Sequence, residues 1–474
     1  MDNTKELETK PMGKLLWEYA LHTIISQIVT SIYNIVDSIF LGNSSDGFGT
    51  LYLAALAITF PVMNIIHAFG SLVGAGSSAR MSIVLGRKDV PWAEKILGNS
   101  MLLTFFFGFL FVTAGYIWMK PILTLFGASP TTLGFACDYM DIVLPGMFLV
   151  TLTFNLTGLM RSSGYPKKAM WIMISGAIIN IFLDFLFINL LGMGVVGAAW
   201  GTTISMAITA LVSLVHFVNP KTFIRFRAHA WAPKLYIFRN ILAIGISPFS
   251  MNVAAFAVVA VLNRQLTTYG GDLAVAVYGV VNRAAGLVFM LIFGLCQGMQ
   301  PIAGYNYGAR RSDRLRQVYG LTMRVCIILG VCGTLVALLF PRAIISCFNS
   351  EEAILAMGVP ALRYLMVFTP FIAFSVVNSQ LFQSIDKPWI AIVTSLSRQV
   401  IFLIPISLIL PGIMFRSNGG GVTGVWMACA ICDVLGAVLS GILLIANREV
   451  FHDGYVPPLR KPRKERGPKN VELN

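Results

Sequence analysis

The sequence predicts an all-α polytopic membrane protein with twelve transmembrane helices, arranged as two pseudo-twofold-related lobes of six helices each. Three observations predict this class. Of the 474 residues, 56% are hydrophobic and only 12% are charged; long apolar runs recur along the whole chain; and motifs of the first half return in the second. A water-soluble fold of this length could not hide so much apolar surface, so lipid must be part of its solvent.

The apolar runs define the spans, because a helix needs about 20 apolar residues to cross the hydrocarbon core of a bilayer. The predicted spans are 15–41, 53–78, 94–118, 138–160, 169–191, 195–217, 241–265, 275–301, 315–340, 359–383, 389–410 and 423–446. The chain then divides into an N-terminus (1–14), an N-lobe (15–217), an inter-lobe linker (218–240), a C-lobe (241–446) and a basic tail (447–474).

The basic residues predict the orientation. Lys and Arg gather in alternate loops and in the tail, whereas the other loops hold only Lys120, Arg264, Arg342 and Arg416. Because cytoplasmic loops carry the excess of positive charge, both termini are expected in the cytoplasm and the protein in the cell membrane. The net charge of +14 therefore reflects topology, and no nucleic-acid partner is expected.

An internal repeat relates the two halves. Gly86 matches Gly308 and Pro166 matches Pro388, and both separations (308 − 86 and 388 − 166) are 222 residues. An even number of spans in each repeat puts both halves in the membrane the same way up, with their pseudo-twofold axis along the membrane normal. Such repeats are typical of transporters in which one lobe rocks against the other around a central site.

Acidic residues inside the spans indicate a cation site. A carboxylate at a helix centre costs about 2.5–3.5 kcal/mol on insertion scales, so such residues usually have a function. Asp37, Asp184 and Thr202 are predicted at similar depths in the outer half of the N-lobe, and Asn180 lies one turn before Asp184 on the same helix face. These oxygen groups suit a monovalent cation such as Na⁺, or the two carboxylates can share a proton. No His or Cys joins them, so no transition metal is expected.

The halves are predicted to differ in function. The 222-residue offset places the apolar Val259 and Ile406 at the positions of Asp37 and Asp184, and apolar side chains cannot bind a cation. Residues on the faces beside the acidic group are expected to line a substrate cavity. These are Thr30, Tyr33, Asn34, Asn155 and Met206.

Charged residues also lie within the predicted C-lobe spans. Arg398 and Asp433 occupy similar depths in the last two spans and are predicted to form a buried ion pair, either structural or coupled to transport. Arg283, in the eighth span, is expected to line the cleft. Arg80 lies nearer the cytoplasmic end of the second span, where a long basic side chain can snorkel to the membrane surface.

Four segments resemble the multidrug and toxic compound extrusion (MATE) family, and more narrowly its bacterial MepA-like branch. They are IYNIVDSIFLG (32–42), LGRKD (85–89), RSSGYP (161–166) and QGMQPIAGYNYGA (297–309), and the resemblance covers nearly the whole chain. It implies a V-shaped twelve-helix fold that takes Na⁺ or H⁺ inward and sends organic cations outward. In similar proteins, the N-lobe cation ligands fall at positions matching Asp37, Asn180, Asp184 and Thr202.

The function predicted from these features is a multidrug efflux antiporter that exports organic, mostly cationic and lipophilic compounds by alternating access. The expected partners are these small molecules and membrane lipids. The protein is expected to be a monomer without a cofactor, with Na⁺ or H⁺ as the coupling ion. One alternative is a lipid-linked saccharide flippase of the same superfamily. A second alternative, a membrane-embedded lipid-modifying enzyme, would need a catalytic cluster, and the five histidines are scattered.

Overall fold

The computed structural model describes residues 5–42 and 47–452, and within these ranges the chain folds into helices joined by turns, without a strand. The N-lobe helices are α1 (Lys5–Thr9), α2 (Met12–Gly42), α3 (Gly49–Gly86), α4 (Val90–Leu125), α5 (Leu133–Ser162), α6 (Pro166–Asp184) and α7 (Gly194–Val218). The remaining helices are α8 (Leu235–Gly308), α9 (Ser312–Leu339), α10 (Pro341–Ser346), α11 (Glu352–Met366), α12 (Thr369–Ser384), α13 (Pro388–Leu396), α14 (Ile404–Asn418) and α15 (Gly421–Ala446). The predicted tail lies almost wholly outside the described residues.

Among the described residues, ten helices are long and apolar enough to span a membrane, and the bent pair α11 and α12 makes eleven. Helix α8 contains 74 residues and would be about 110 Å long if it were straight, far more than a bilayer of about 30 Å requires. It is broken at Gly271, whose φ of +66° and ψ of −166° fall in a region open to glycine only. Counting its two halves separately would give the predicted number of twelve.

Two pairs of unusual backbone angles confirm the internal repeat. Lys88 and Arg310 have φ values of +61° and +60°, in the turns that follow α3 and α8. Gly164 and Asp386 have φ values of +90° and +59°, in the turns that follow α5 and α12. Within each pair the residues are 222 positions apart (310 − 88 and 386 − 164), so the repeat extends to the conformation of single turn residues.

The two lobes are joined at one end only. One hydrophobic cluster combines residues of both lobes, from Leu15 and Leu85 to Met299 and Phe382. All of these lie at the end where the linker and the described termini are found, which is called the linker end below. Toward the opposite end each lobe has its own cluster, one containing Tyr139 and the other containing Trp426. Separate cores that merge at one end give the protein two arms.

Glycines allow the lobes to touch at the linker end. A Cβ atom on Gly86 would lie 2.0 Å from the carbonyl oxygen of Tyr305, and a Cβ atom on Gly308 would lie 2.0 Å from that of Ile83. Both separations, 308 − 86 and 305 − 83, are 222 residues, so these are the same contact made twice. The inter-lobe interface therefore obeys the pseudo-twofold axis predicted from the sequence.

Arg80 does not snorkel to the membrane surface as predicted. Its Nη1 atom lies 2.7 Å from Oδ2 of Asp386 in the other lobe, and the two side chains are 5% and 12% exposed. The pair joins α3 to the turn between α12 and α13. Arg80 is therefore a partner in a cross-lobe ion pair, which the sequence does not reveal because Asp386 lies 306 residues away along the chain.

The inter-lobe linker is fixed to α4 of the N-lobe by the side chain of Asn99, and Arg227 of the linker also pairs with Glu94 of α4 at 2.9 Å. Asn99 of α4 donates from Nδ2 to the carbonyl oxygens of Ala230 (3.3 Å) and Ala232 (3.2 Å), and its Oδ1 accepts from the backbone N–H of Lys234 at 2.8 Å. Gly98 allows the close approach, since a Cβ atom there would lie 2.2 Å from the Ala230 oxygen. The linker is therefore held against α4 as far as Lys234, next to the start of α8.

Candidate functional site

Three helices bring the predicted cation residues together in the N-lobe. Helices α2 and α6 run from the linker end to the opposite end, and α7 returns, so Asp37, Asp184 and Thr202 lie in the same half of the lobe. All three are buried, and Asp184 is completely inaccessible. Asp184 is the last residue of α6 before a π-helical segment, Phe185–Leu190. Such wider turns frequently occur at functional sites.

Asn180 connects the site across two helices. Its Nδ2 group lies 3.4 Å from Oδ1 of Asp184, one turn along α6, and 3.4 Å from Oγ1 of Thr202 on α7. Asp37 on α2 is close enough to Asp184 for the two carboxylates to interact electrostatically. The structure therefore brings together all four residues of the predicted set.

The site has more acceptors than donors. Among the described residues, Oδ1 of Asp37, Oδ1 of Asn180 and Oδ2 of Asp184 are buried and have no hydrogen-bond partner. Buried polar atoms are usually paired, because leaving one without a partner costs about 1–3 kcal/mol. Acceptor oxygens from two carboxylates and an amide can be satisfied by a small hard cation, or by protons on the carboxylates. This group of acceptor oxygens thus fits Na⁺ or H⁺.

Tyr139 is a site residue that the sequence reasoning missed. It is 2% exposed, it faces Thr202, and it lies within electrostatic range of Asp37, Tyr33 and Asp184. The depth argument used for the acids could have found it, because α5 begins at the opposite end and Tyr139 lies in its second turn. A tyrosine near a span end is, however, also typical of the membrane interface.

The five predicted cavity residues have different environments. Thr30, Tyr33 and Met206 are partly buried, and Asn34 is exposed. Asn155 is fully buried. Its Oδ1 accepts from Ser77 at 2.7 Å, and its Nδ2 donates to the hydroxyls of Ser100 and Thr104 at 3.2 and 3.1 Å.

In this structure Asn155 therefore packs α5 against α3 and α4 instead of lining a cavity. A satisfied amide between helices is a common means of helix association in membranes. A position inside a span does not by itself distinguish this role from ligand binding, which is why the sequence assigned Asn155 to the cavity.

The predicted C-lobe ion pair is present. Nε of Arg398 donates to Oδ1 of Asp433, which is 2% exposed. Arg398 lies in a second π-helical segment, Ser397–Leu403, in the helix that corresponds to α6. Arg283 is exposed and is not part of this pair. The N-lobe thus holds carboxylates without basic partners, whereas the C-lobe neutralises its buried acid with an arginine.

A two-lobed bundle of apolar helices with buried charges in its arms defines a membrane transport protein. Comparisons identify the family: the MatE family model matches residues 23–186 and 243–409, one segment in each half of the repeat. The chain belongs to the MATE family, whose members are transporters and not enzymes, and which exchange their substrates for cations.

Named relatives and solved structures agree with this assignment. The chain is 26% identical over 441 residues to the Multidrug export protein MepA of Staphylococcus haemolyticus. The aligned region covers 93% of this chain and 95% of that protein. It is 25% identical over 442 residues to MepA of Staphylococcus aureus (strain NCTC 8325), with the same coverage. A crystal structure of a MATE protein in the bent conformation superposes with a TM-score of 0.87 at 24% identity, covering 95% of this chain and 98% of that one. The fold is therefore the V-shaped MATE fold.

Proposed function

We propose that this chain is a multidrug efflux antiporter of the cell membrane that exports organic, mostly cationic compounds in exchange for Na⁺ or H⁺. The observation that carries the proposal is the group of three buried acceptor oxygens, on Asp37, Asn180 and Asp184, without hydrogen-bond partners. The relatives named above, which are multidrug export proteins, support the drug substrates. Because each chain has its own pair of lobes, the monomer is the proposed working unit.

The charge distribution and the inter-lobe contacts together suggest which state of the cycle the structure represents. The basic loops assign the linker end, and with it both termini, to the cytoplasm. The lobes meet at this end, through Gly86, Gly308 and the Arg80–Asp386 pair. Closure on the cytoplasmic side corresponds to an outward-facing transporter, in which the N-lobe site is reached from outside.

The proposed mechanism is competition for negative charge. When the N-lobe site is empty, its two carboxylates attract a cationic drug. Entry of Na⁺ or H⁺ from outside neutralises Asp37 and Asp184 and removes this attraction, so the drug is released outward. Because each ligand favours the conformation that it binds better, occupation of the site by the coupling ion or by the drug shifts the balance of outward and inward states.

The test is dye efflux from proteoliposomes under an imposed Na⁺ gradient and, separately, an imposed pH gradient. A cationic dye is expected to leave under one gradient with the parent protein, which names the ion, and Asp184→Asn is expected to abolish gradient-driven efflux. Asp141→Asn is the matched control, because Asp141 is an exposed acid of the same lobe. Full transport by Asp184→Asn would disprove coupling at this site, and a folded parent without efflux under either gradient would disprove drug antiport.

A further inference from the structure

The arginine of the C-lobe ion pair retains free donors in the middle of the membrane. Arg398 uses only Nε to reach Asp433, and its Nη groups meet no acceptor among the described residues. The arginine side chain is 26% accessible, while Asp433 is 2% exposed. A charged residue at this depth almost always faces a protein interior or a water-filled cavity, because facing lipid is costly. The free edge of the guanidinium is therefore expected to face the protein interior or the cleft between the lobes, and not lipid.

The internal repeat relates the position of Arg398 to the N-lobe site. Gly176 of α6 packs on Thr209 of α7, and a Cβ atom on Gly176 would lie 2.3 Å from Cγ2 of Thr209. The corresponding contact in the C-lobe is between Arg398 and Gly436, where a Cβ atom on the glycine would lie 3.0 Å from Cβ of Arg398. The offsets are 222 (398 − 176) and 227 (436 − 209), the second reflecting an insertion that also separates Gly421 from Gly194 (421 − 194).

The glycine of this helix contact thus lies on opposite helices in the two lobes: on α6 in the N-lobe, and on α15, which corresponds to α7, in the C-lobe. The N-lobe has glycine where the C-lobe has Arg398, and this position lies one turn from the position equivalent to Asn180. Because Gly436 has no side chain, the arginine fits between the two helices, about one turn from the place that corresponds to the cation site.

The chemistry of the pocket selects a type of ligand. The Nη edge of a guanidinium presents two parallel N–H donors that match a planar carboxylate. Asp433 already balances the charge of Arg398, so the site suits a single carboxylate better than a multiply charged pyrophosphate. Tyr278 interacts electrostatically with Arg398 and stacks on Trp426, with ring centroids 6.2 Å apart and planes 26° apart. Tyr278 is only partly buried, so an aromatic ring of a ligand can pack against it beside the guanidinium.

We propose that Arg398 forms an anion subsite that receives the carboxylate of amphoteric aromatic substrates, while their ammonium group is attracted by the acidic N-lobe. This inference rests on the proposed drug efflux and adds to it a residue that selects among the substrates. It also explains the single-nitrogen contact with Asp433: a purely structural arginine in a membrane would be expected to use its full fork on the carboxylate.

The test compares two dyes that differ in one group: a xanthene dye with a free benzoate, and the methyl ester of the same dye, which is a simple cation. Efflux of both is measured in proteoliposomes with the parent and with the double variant Arg398→Met/Asp433→Leu, which removes both charges together and leaves no unpaired acid. The ratio of benzoate-dye to ester-dye efflux is expected to fall at least about tenfold, because the charge-assisted bidentate pair is lost. Arg324→Met, an exposed arginine of α9, is the control in which the ratio stays constant.

Each outcome decides the proposal. An unchanged ratio in the folded double variant, whether both rates stay or both fall, would leave the pair a structural one and overturn the subsite. If the double variant does not fold, Arg398→Lys keeps the charge but not the fork, and a ratio equal to that of the parent would again overturn it. Failure of the parent to export even the ester dye would count against drug efflux itself, which is a distinguishable result.

Discussion

Asp184 is held in place by contacts with two helices. Its Oδ1 atom lies near Asn180 of α6, and it would be only 2.3 Å from a Cβ atom placed on Gly201 of α7. Position 201 must therefore be a glycine for the carboxylate to keep this place. The sequence could not show this, because the contact depends on how closely α6 and α7 pack, whereas the acids themselves were found from their depth in the spans.

Gly201→Ala should therefore impair coupling although alanine favours a helix. The new methyl group must displace the carboxylate, and we expect the efflux rate to fall at least about tenfold, which corresponds to about 1.4 kcal/mol. The measurement is dye efflux under the coupling gradient. Gly279→Ala in α8 is the matched control, because no atom lies within 4 Å of its Cβ position. Equal efflux by Gly201→Ala and the control would show that the packing of Asp184 is unimportant.

At the level of the helices, the sequence predicted the existence and order of the elements better than their shapes. Most helices begin before and end after the predicted spans, as α3 (Gly49–Gly86) does relative to 53–78, because hydropathy detects only the part in lipid. The π-helical segments within the fifth and eleventh predicted spans were not predicted, since one extra residue per turn hardly changes an apolar pattern. The bend of 45° between α11 and α12 likewise depends on local packing.

The linker provides a test at this scale. Asn99→Ala should loosen its attachment to α4, because the change leaves two carbonyl groups and one N–H without their partner, at a cost of about 1–3 kcal/mol. We expect faster trypsin cleavage after Arg227 or Lys234 in detergent-solubilised protein, with a lower melting temperature.

The comparison for this experiment is Asn219→Ala, since Asn219 is exposed and makes only a local bond to the N–H of Lys221. Exposed changes of this kind usually alter stability by less than about 0.5 kcal/mol. If both variants were cut at the rate of the parent, the Asn99 contacts would not hold the linker.

For the molecule as a whole, the repeat was readable from the matches of Gly86 with Gly308 and of Pro166 with Pro388, and the structure extends it to backbone angles and to the paired contacts of Gly86 and Gly308. The functional differences between the lobes follow from departures from the repeat. Val259 stands where the N-lobe has Asp37, and Arg398 stands where it has Gly176. The packing at the linker end is thus symmetric, whereas the buried charged side chains of the two arms differ.

The Arg80–Asp386 pair should stabilise the state in which the linker end is closed, because it joins the lobes and is largely buried. Asp386→Asn removes the charge, and asparagine tolerates the left-handed conformation of this turn. Since the uncompensated Arg80 is then better solvated with the lobes apart, we expect a shift toward the state open to the cytoplasm. Even about 1 kcal/mol would change the ratio of the two states roughly fivefold.

The shift can be measured with a cysteine in place of Ser82, which is fully buried at the lobe interface, in a background without the native cysteines. Its labelling by a membrane-impermeant maleimide is followed in inside-out vesicles, where the cytoplasmic side faces the reagent. Labelling is expected to be at least about fivefold faster in Asp386→Asn than in the parent, and unchanged in Asp313→Asn, an exposed acid near the start of α9. Equal rates in all three proteins would mean that the glycine contacts close this end without the ion pair.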